Sequence, residues 1–386
     1  MRILHVITSL ECGGAQAMLR DLISGWKQGD EHQILYFHDG SYVDQLRASG
    51  IQVLRVRGLV CTYDPFFFIN LAIKTLRFKP DCIHALLWSS NLIMSFLGRI
   101  FKIPVVCDLH CNAAHLGSRR AFFERVTISC ASRLVAVSHS VKNSYEKTFL
   151  PASSVVTREP KFEKLVLVEN GINADRLVCA DEDAMQLRRI CGFGESDFVV
   201  GAVGRLVHVK RYDVLLRACA DSVLRNSAKT QKRPLRVCIV GDGPEGEKLQ
   251  QLAKDLKIES YVFFAGTSYN LAPFYRMFNC MAITSEYEGL SMVLLEALSC
   301  GVAVISTPTK RQNGSVAHDV ITHNKTGFLV DVADPVGLAC QLFTLLHDQS
   351  LVSFVGAKAK QLVKDRYSVG GMIEHHRKVY QSVCLK

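Results

Sequence analysis

Two glutamates, Glu288 and Glu296, lie in a segment whose pattern predicts a strand, a tight turn and a helix start. The apolar run at residues 279–284 predicts a short buried strand, and Ser291 can cap a helix over Met292–Ser299. Glu288 is therefore expected on the loop after a strand, and Glu296 more than one turn into the next helix. A carboxylate only accepts hydrogen bonds, so it suits hydroxyl groups. In open α/β sheets ligands bind at this edge, and the amides at a helix start suit a phosphate.

Two cations, Arg205 and Lys210, follow a second apolar run, residues 198–203, which predicts a buried strand. Gly204 provides the turn, so both side chains are expected just past the strand end. Positive charge at such a place can stabilise a leaving group on which negative charge accumulates. One alternative is that Arg205 and Lys210 are ordinary surface cations in a loop. A second alternative is that Arg211, rather than Lys210, is the exposed member of that adjacent pair.

The first half of the chain offers a glycine pair and a histidine. Gly13 and Gly14 follow the first predicted strand and precede a predicted helix at Ala15–Trp26. Without side chains they let amides approach a ligand at the positive end of that helix, although a tight turn with positive φ would also explain them. His110 ends another predicted strand, where a purely structural histidine is the alternative.

The segment Gly241–Gly246 matches the pattern Gly-x-Gly-x-x-Gly between a strand and a helix. Taken alone, this pattern indicates dinucleotide binding. An acidic residue is then expected about twenty residues later, at the end of a second strand. The predicted strand Tyr261–Phe264 is followed by Ala265 and Gly266 instead, which argues against an oxidoreductase.

Short apolar runs alternate with longer amphipathic segments along the whole chain. This alternation predicts parallel sheets with helices on both faces. The predicted strands are Arg2–Ile7, Gln33–Phe37, Gln52–Val56, Cys82–Leu86, Val105–Asp108, Leu134–Val137, Leu165–Val168, Phe198–Val203, Arg236–Val240, Tyr261–Phe264, Asn279–Thr284, Val302–Ile305 and Gly327–Val330. Predicted helices between them include Tyr212–Leu224, Glu245–Leu256 and Gly337–Leu346. The length of 386 residues favours two domains.

Several segments, in one order over nearly the whole chain, resemble motifs of the retaining GT-B glycosyltransferases of family 4. The matching segments are Glu11–Gln16, Val106–His110, Asn170–Asn173, Gly204–Lys210, Ser285–Gly301 and Thr326–Val330. The resemblance implies an α/β fold with two Rossmann-like domains facing a cleft. It assigns residues 1–175, with a C-terminal crossing helix at 369–386, to the acceptor side, and residues 176–368 to nucleotide-sugar binding.

The resemblance also implies roles for the charged residues, in transfer of a hexosyl group from a nucleotide diphosphate. Arg205 and Lys210 would bind the donor phosphates. Glu288 would contact the transferred sugar, and Glu296 the ribose hydroxyls. His110 would hydrogen-bond the sugar or the acceptor.

The same family interpretation gives the small residues a donor-binding role. Gly13, Gly14, Gly204 and Gly289 would let the backbone approach the donor, and the amides near Leu290 and Ser291 would support the sugar. The sequence Gly289-Leu-Ser departs from the commoner Gly-Phe-Gly of the family. The donor sugar is therefore left open, with UDP or GDP as the usual nucleotide.

No resident cofactor is expected, because the nucleotide sugar is a co-substrate. No Asp-x-Asp cluster accompanies the donor motifs, so turnover is expected to need no divalent metal. Residues Cys107–Cys111, with His115, contain ligand types. However, Cys107 and Asp108 occupy a strand, whose side chains alternate between faces, so no metal site is expected there.

The net charge is +10, with an excess of six cations over residues 1–172. Such charge attracts nucleic acid, anionic lipid or a diphosphate, although solvated surface cations are the alternative. The aromatic residues are not interleaved with Lys and Arg, which argues against a nucleic-acid partner. Fourteen cysteines without a Cys-x-x-Cys pair favour a reduced, cytoplasmic protein. Residues 1–10 fit a first strand better than a signal peptide.

Two apolar segments, Tyr63–Ile73 and Ile93–Ile103, carry Arg99 and Lys102 and are candidates for contact with the inner face of the cell membrane. The alternative is that both are core helices. The first interpretation suits a polyprenyl-linked acceptor, and the expected pathway is polysaccharide or lipopolysaccharide biosynthesis. Two further functions stay open: a non-catalytic sugar-nucleotide-binding subunit and a same-fold sugar-nucleotide 2-epimerase.

Overall fold

The computed structural model describes residues 1–26, 29–58, 64–149, 164–307 and 319–384, and the side chain of His115 is outside this description. The chain forms two compact units. The first contains residues 1–171 and 369–386, and the second contains residues 172–368.

The described part of the first unit contains a seven-stranded parallel sheet in the order β3-β2-β1-β4-β5-β6-β7. Its strands are β1 Arg2–Ser9, β2 Glu31–His38, β3 Gln52–Arg55, β4 Cys82–Leu86, β5 Val105–Leu109, β6 Arg133–Ala136 and β7 Leu165–Leu167. The strand order reverses between β1 and β4. The loops at that point are where a doubly wound sheet binds its ligands.

Six helices of the first unit connect these strands. They are α1 Gly14–Ser24, α2 Tyr42–Ala48, α3 Pro65–Phe78, α4 Trp88–Phe101, α5 Ser118–Cys130 and α6 His139–Phe149. The buried strands β4 and β5 are apolar except for His84 and Asp108. Such near-continuous hydrophobic runs are expected of parallel strands that are covered on both faces.

The second unit contains, in its described part, a six-stranded parallel sheet in the order β10-β9-β8-β11-β12-β13. Its strands are β8 Phe198–Val203, β9 Leu235–Val240, β10 Val262–Gly266, β11 Cys280–Ile283, β12 Ala303–Ser306 and β13 Phe328–Leu329. This is the strand order of Rossmann dinucleotide-binding folds, with its switch point between β8 and β11. Every strand that the sequence predicted is present in the two sheets, with bounds shifted by at most a few residues.

The helices of the second unit pack around this sheet. They are α7 Asp181–Ile190, α8 Tyr212–Cys219, α9 Ser222–Thr230, α10 Gly246–Asp255, α11 Ala272–Met277, α12 Met292–Ser299, α13 Pro335–His347 and α14 Gln349–Arg366. The prediction of one helix over Tyr212–Leu224 was wrong. The chain breaks at Asp221, whose side chain accepts a hydrogen bond from the Leu224 amide and so starts α9.

The last helix, α15 Val369–Cys384, belongs to the first unit. Its buried face consists of Met372, Ile373, His376, Val379, Tyr380 and Val383. These positions repeat every three to four residues, which is the period of one helix face. The amide of Gly171 donates to the sulfur of Met372 at 3.1 Å.

Helix α3 buries one face and exposes apolar residues on another. Phe66, Ile69, Ile73 and Leu76 are 47–77% exposed, and they follow one another at helical spacing. Tyr63, the first residue of the predicted segment, lies outside the described residues. Across the described ranges, no helix is both long and apolar enough to cross a bilayer.

Candidate functional site

The loops that follow β8 and β11 meet at the switch point of the second sheet. The Glu286 amide donates to the Val209 carbonyl oxygen at 2.9 Å, and the Thr284 hydroxyl donates to the Lys210 carbonyl oxygen at 2.8 Å. These bonds fix the backbone of both loops. As a result, the ammonium of Lys210 and the carboxylate of Glu288 form an ion pair.

Among the described residues, protein groups donate hydrogen bonds to one oxygen of the Glu288 carboxylate but not to the other. Its Oε1 accepts from Lys210 and, at 2.8 Å, from the hydroxyl of Ser285. Its Oε2 has no hydrogen-bond partner among the residues that the structure describes. Both paired side chains are 22% exposed, so Oε2 can accept hydrogen bonds from a ligand.

Arg205 and Arg211 lie in different electrostatic settings. Arg205 is exposed, and within the described residues it forms neither an ion pair nor a side-chain hydrogen bond. Arg211 contacts Asp213 at 2.9 Å and Glu286 at 3.0 Å. The hydrogen bonds that Arg211 donates to Asp213 are the largest cause that raises the pKa of Arg211. Arg211 is therefore paired with two carboxylates, while Lys210 is paired with one, and their side chains are 21% and 22% exposed.

Glu296 is buried, at 3% exposure, within the first turns of α12. The hydroxyl of Tyr275 donates to its Oε2 at 2.8 Å, and Arg176 donates to its Oε1 at 3.2 Å. Burial, followed by the charge of Glu296, raises the pKa of Tyr275. Neither partner was predictable from the sequence, since Arg176 lies 120 residues away and no local pattern marks either of them.

The start of α12 follows the prediction in position but not in detail. Ser291 stands at the N-cap with an extended backbone, yet its side chain makes no capping hydrogen bond. The expected side-chain cap was therefore wrong. Leu290 and Ser291 are buried, while Gly289 is half-buried.

The Gly-x-Gly pattern at residues 241–243 has a structural reason. Gly204, Gly241 and Gly243 have φ values of 145°, 138° and 157°, which disfavour side chains. A Cβ on Gly241 would lie 2.0 Å from the carbonyl oxygen of Gly204, and a Cβ on Gly243 would lie 2.5 Å from that of Leu206. These glycines let two loops pack backbone against backbone, so dinucleotide binding is not needed to explain them.

Gly13 and Gly14 lie at the switch point of the first sheet, between β1 and α1. Gly13 has φ −178°, so the explanation by a positive-φ turn was wrong for it. A Cβ on Gly13 would lie 2.6 Å from Oε1 of Gln16, so the glycine permits a close approach. Gly14 is the first residue of α1, and its neighbourhood is the positive end of that helix.

His110 directly follows β5 in the first unit. It is half-buried, and its Nε2 is buried without a hydrogen-bond partner among the described residues. Burial lowers the pKa of His110 to about 4, so the ring is neutral near pH 7. A neutral imidazole with an unpartnered nitrogen can donate to or accept from a ligand hydroxyl.

Solved structures resemble this chain over nearly its full length. Anabaena HepE in complex with UDP-glucose has a TM-score of 0.84 at 21% identity, covering 99% of this chain and 100% of that chain. Sucrose-phosphate synthase of Thermosynechococcus elongatus has a TM-score of 0.79 at 17% identity, covering 99% of each chain. These likenesses confirm the expected GT-B fold.

Relatives found by sequence are more similar in sequence to this chain than these two structures are. N-acetyl-alpha-D-glucosaminyl L-malate synthase of Bacillus anthracis is 30% identical over 83% of this chain and 80% of its own length. A Campylobacter jejuni alpha-1,4-N-acetyl-D-galactosaminyltransferase, named for a diNAcBac-PP-undecaprenol-linked substrate, is 25% identical over 95% of this chain and 94% of its own length.

Family models match both halves of the chain. Residues 13–160 match the glycosyl transferase 4-like domain, and residues 183–362 match glycosyl transferases group 1. The protein therefore belongs to the group 1 glycosyltransferases, as the resemblance of its motifs to family 4 indicated.

Proposed function

We propose that this glycosyltransferase is a retaining, metal-independent enzyme that moves a hexosyl group from a UDP- or GDP-sugar to a glycan or polyprenyl-linked acceptor. The observation that carries the proposal is the ion pair of Lys210 and Glu288 at the switch point of the second sheet. Lys210 shares its loop with Arg205, which forms no ion pair within the described part of the chain. This arrangement supplies free positive charge beside a carboxylate oxygen that can still accept hydrogen bonds.

The positive charge can offset the negative charge that the reaction generates on the leaving group. As the bond between the sugar and the diphosphate breaks, negative charge accumulates on the leaving phosphate. Arg205 and Lys210 can stabilise that charge, and fixed groups of this kind contribute on the order of 100-fold or more in rate. One of the three N–H groups of the Lys210 ammonium donates to Glu288, so two remain for phosphate oxygens.

The carboxylate of Glu288 is better suited to binding than to proton transfer. Its Oε1 already accepts from Lys210 and Ser285, which leaves Oε2 for the sugar hydroxyls. We infer that the proton of the acceptor hydroxyl passes to an oxygen of the leaving diphosphate. In that step the bond from the anomeric carbon to the phosphate oxygen breaks, and the bond to the acceptor oxygen forms on the same face.

Two named proteins support a UDP-linked hexose as the donor and a polyprenyl-linked acceptor. HepE is described in complex with UDP-glucose, and the Campylobacter enzyme is named for an undecaprenol-linked substrate. Neither name fixes the sugar for this chain. Leu290, where the family commonly has an aromatic residue, is buried beside the loop of Glu288 and is the candidate for setting that preference.

A membrane-bound acceptor agrees with the surface of the first unit. The exposed apolar residues of α3 lie beside Lys74 and the exposed Arg77, and α4 exposes Phe96 and Ile100 next to Arg99. Apolar side chains bordered by cations favour an anionic lipid surface. We infer peripheral association with the cytoplasmic face of a membrane, in the synthesis of a surface polysaccharide or lipopolysaccharide.

Two measurements test this function. Thermal shifts against a panel of UDP- and GDP-sugars should single out one nucleotide and one sugar. NMR of the product formed from an α-linked donor should then show an α-linkage. A β-linked product would contradict retention, and inversion at C2 of the donor without an acceptor would indicate an epimerase.

A further inference from the structure

A cluster of three ligand-type side chains lies inside the first unit. It consists of His84 on β4, Asp108 on β5 and His376 on α15, each no more than 1% exposed. One ligand atom from each residue lies within 4.8 Å of the other two. Three buried polar groups that meet at one point need a shared explanation.

The hydrogen bonding inside the cluster is poor for groups so close together. Nε2 of His84 lies 3.0 Å from Oδ2 of Asp108, yet it makes no well-directed hydrogen bond. Nε2 of His376 lies 3.5 Å from the same oxygen, which is long for a charge-assisted bond. Oδ1 of Asp108 is buried without a partner among the described residues.

The tautomer of His376 follows from its contact with the backbone. Nδ1 of His376 lies 3.0 Å from the carbonyl oxygen of Met372, which can only accept, so Nδ1 carries the proton. In a neutral ring, Nε2 of His376 then directs its lone pair at the carboxylate of Asp108. Two acceptors that face each other require a cation between them, either a second proton or a metal ion.

We propose that His84, Asp108 and His376 bind a divalent transition-metal ion, with zinc as the ion that their chemistry favours. Two imidazole nitrogens and one carboxylate oxygen form a ligand set that zinc accepts, with a fourth ligand completing a tetrahedron. Zinc–ligand bonds of about 2.0–2.2 Å place ligand atoms roughly 3.4 Å apart in a tetrahedron. The distances of 3.0 and 3.5 Å to Oδ2 bracket this value.

The fourth ligand has a candidate in the same helix. The hydroxyl of Tyr380 is buried and has no hydrogen-bond partner in the described part of the chain. Its ring centroid lies 5.5 Å from that of His84 and 5.9 Å from that of His376. Either this hydroxyl or a water molecule held by it can complete the coordination.

Groups around the cluster can hold both imidazoles in the metal-binding tautomer. The carbonyl oxygen of Met372 does so for His376. Nδ1 of His84 lies 3.0 Å from Nδ1 of His5, and Nε2 of His5 lies 2.9 Å from Nδ1 of His32. When Nε2 of His84 binds a metal ion, its Nδ1–H can donate a hydrogen bond to Nδ1 of His5. His5 can then donate a hydrogen bond from its Nε2–H to Nδ1 of His32. Such outer contacts are typical of metal-binding histidines.

The position of the ligands gives the metal a structural role. His84 and Asp108 lie on adjacent strands, and only His376 comes from α15. The site is complete only when α15 packs on the sheet of the first unit. Metal binding and the packing of this last helix are therefore coupled, as in other sites whose ligands assemble on folding.

The experiment uses the full chain, stripped with a chelator under reducing conditions and then titrated with Zn²⁺ or Co²⁺. We expect one tightly bound ion per chain and a higher melting temperature with zinc. His376→Ala should weaken binding by more than about 100-fold, because loss of an outer contact alone typically costs 10–100-fold. His375→Ala is the matched control, since His375 is the neighbouring exposed histidine of the same helix.

Cobalt spectra separate this site from the fourteen cysteines. We expect tetrahedral d–d bands without a thiolate charge-transfer band, and His5→Leu should weaken binding by about 10–100-fold. Should His376→Ala fail to fold by circular dichroism, Asp108→Asn and the cobalt spectrum of the wild type decide the question. Absence of a bound ion, a thiolate spectrum, or equal affinity in the His376 and His375 variants would overturn the proposal.

Discussion

The Lys210 ammonium and the Glu288 carboxylate form an ion pair between the loops after β8 and β11, although 78 residues separate them in the sequence. The pair exists because β8 and β11 are neighbours at the switch point of their sheet. In the proposed function, the cation of this pair binds the phosphate and the carboxylate binds the sugar. These are the two adjacent groups of a sugar nucleotide that the proposed reaction separates.

Replacing either cation should abolish efficient turnover while leaving the fold intact. We expect Arg205→Ala and Lys210→Ala each to lower kcat/KM by about 100-fold or more, because one electrostatic donor to the leaving group is lost. Arg217→Ala, which removes an exposed arginine from α8, serves as the control. Wild-type rates in both Arg205→Ala and Lys210→Ala would refute the assignment.

The two glutamates should divide the donor between them. Glu296→Gln should weaken binding of the nucleoside diphosphate and of the full sugar nucleotide alike, since Glu296 is assigned to the ribose. Glu288→Gln should weaken chiefly the part of the affinity that depends on the sugar. Calorimetry with both ligands measures the difference, and equal losses for both ligands in both variants would contradict it.

Tyr275→Phe provides the control for the packing around Glu296. It removes the 2.8 Å hydrogen bond and keeps the carboxylate. We expect it to lower the free energy of unfolding by about 1.5–3 kcal/mol, the usual net value of a hydrogen bond to a charged group. If Tyr275→Phe weakened nucleotide binding as much as Glu296→Gln, the effect of Glu296 would be one of position rather than of contact.

Turnover should not require added Mg²⁺ or Mn²⁺. We propose that Arg205, Lys210 and the start of α12 neutralise the diphosphate, and in that case no metal ion is needed for this step. Activity is measured after chelation and again after each ion is returned. Complete loss that Mg²⁺ or Mn²⁺ restores would show that the diphosphate is neutralised differently. Loss that only Zn²⁺ restores would point to the buried site of His84 instead.

Binding to anionic liposomes should depend on the exposed face of α3. Each Lys or Arg near such a surface adds roughly 1 kcal/mol, and the attraction is screened over about 8 Å at physiological ionic strength. Ile73→Glu should therefore reduce flotation with anionic liposomes at low salt. Ile190→Glu, at a residue 66% exposed on α7 of the second unit, is the matched control. Absence of flotation by the wild type at low salt would favour a soluble acceptor.

Gly241 and Gly246 should differ in how well they tolerate replacement by alanine. A Cβ on Gly241 would lie 2.0 Å from the carbonyl oxygen of Gly204, whereas a Cβ on Gly246 would meet side-chain atoms only at 3.6 and 3.9 Å. We expect Gly241→Ala to cost on the order of 1–3 kcal/mol of stability. Gly246→Ala should be neutral or slightly stabilising. Equal stability of the two variants in urea unfolding would refute this account of the loop.

The fold class was predictable because its signals are local. Apolar runs of strand length and amphipathic helices repeat along the chain, and Phe198–Val203 and Cys82–Leu86 have the bounds that their sequence predicts. The break between α8 and α9 was missed because the helical pattern continues through it, and only the cap at Asp221 marks the new start.

The sequence by itself determined which residue types stand at strand ends, since a strand, a turn and a helix start are all encoded within some twenty residues. Only the tertiary structure decided which of them meet. Strand order brings Lys210 to Glu288, the packing of α11 on the sheet brings Tyr275 to Glu296, and the return of α15 to the first unit brings His376 to Asp108 from 268 residues away. Hydrophobic periodicity states which face of an element is buried, but it does not state which other element covers that face.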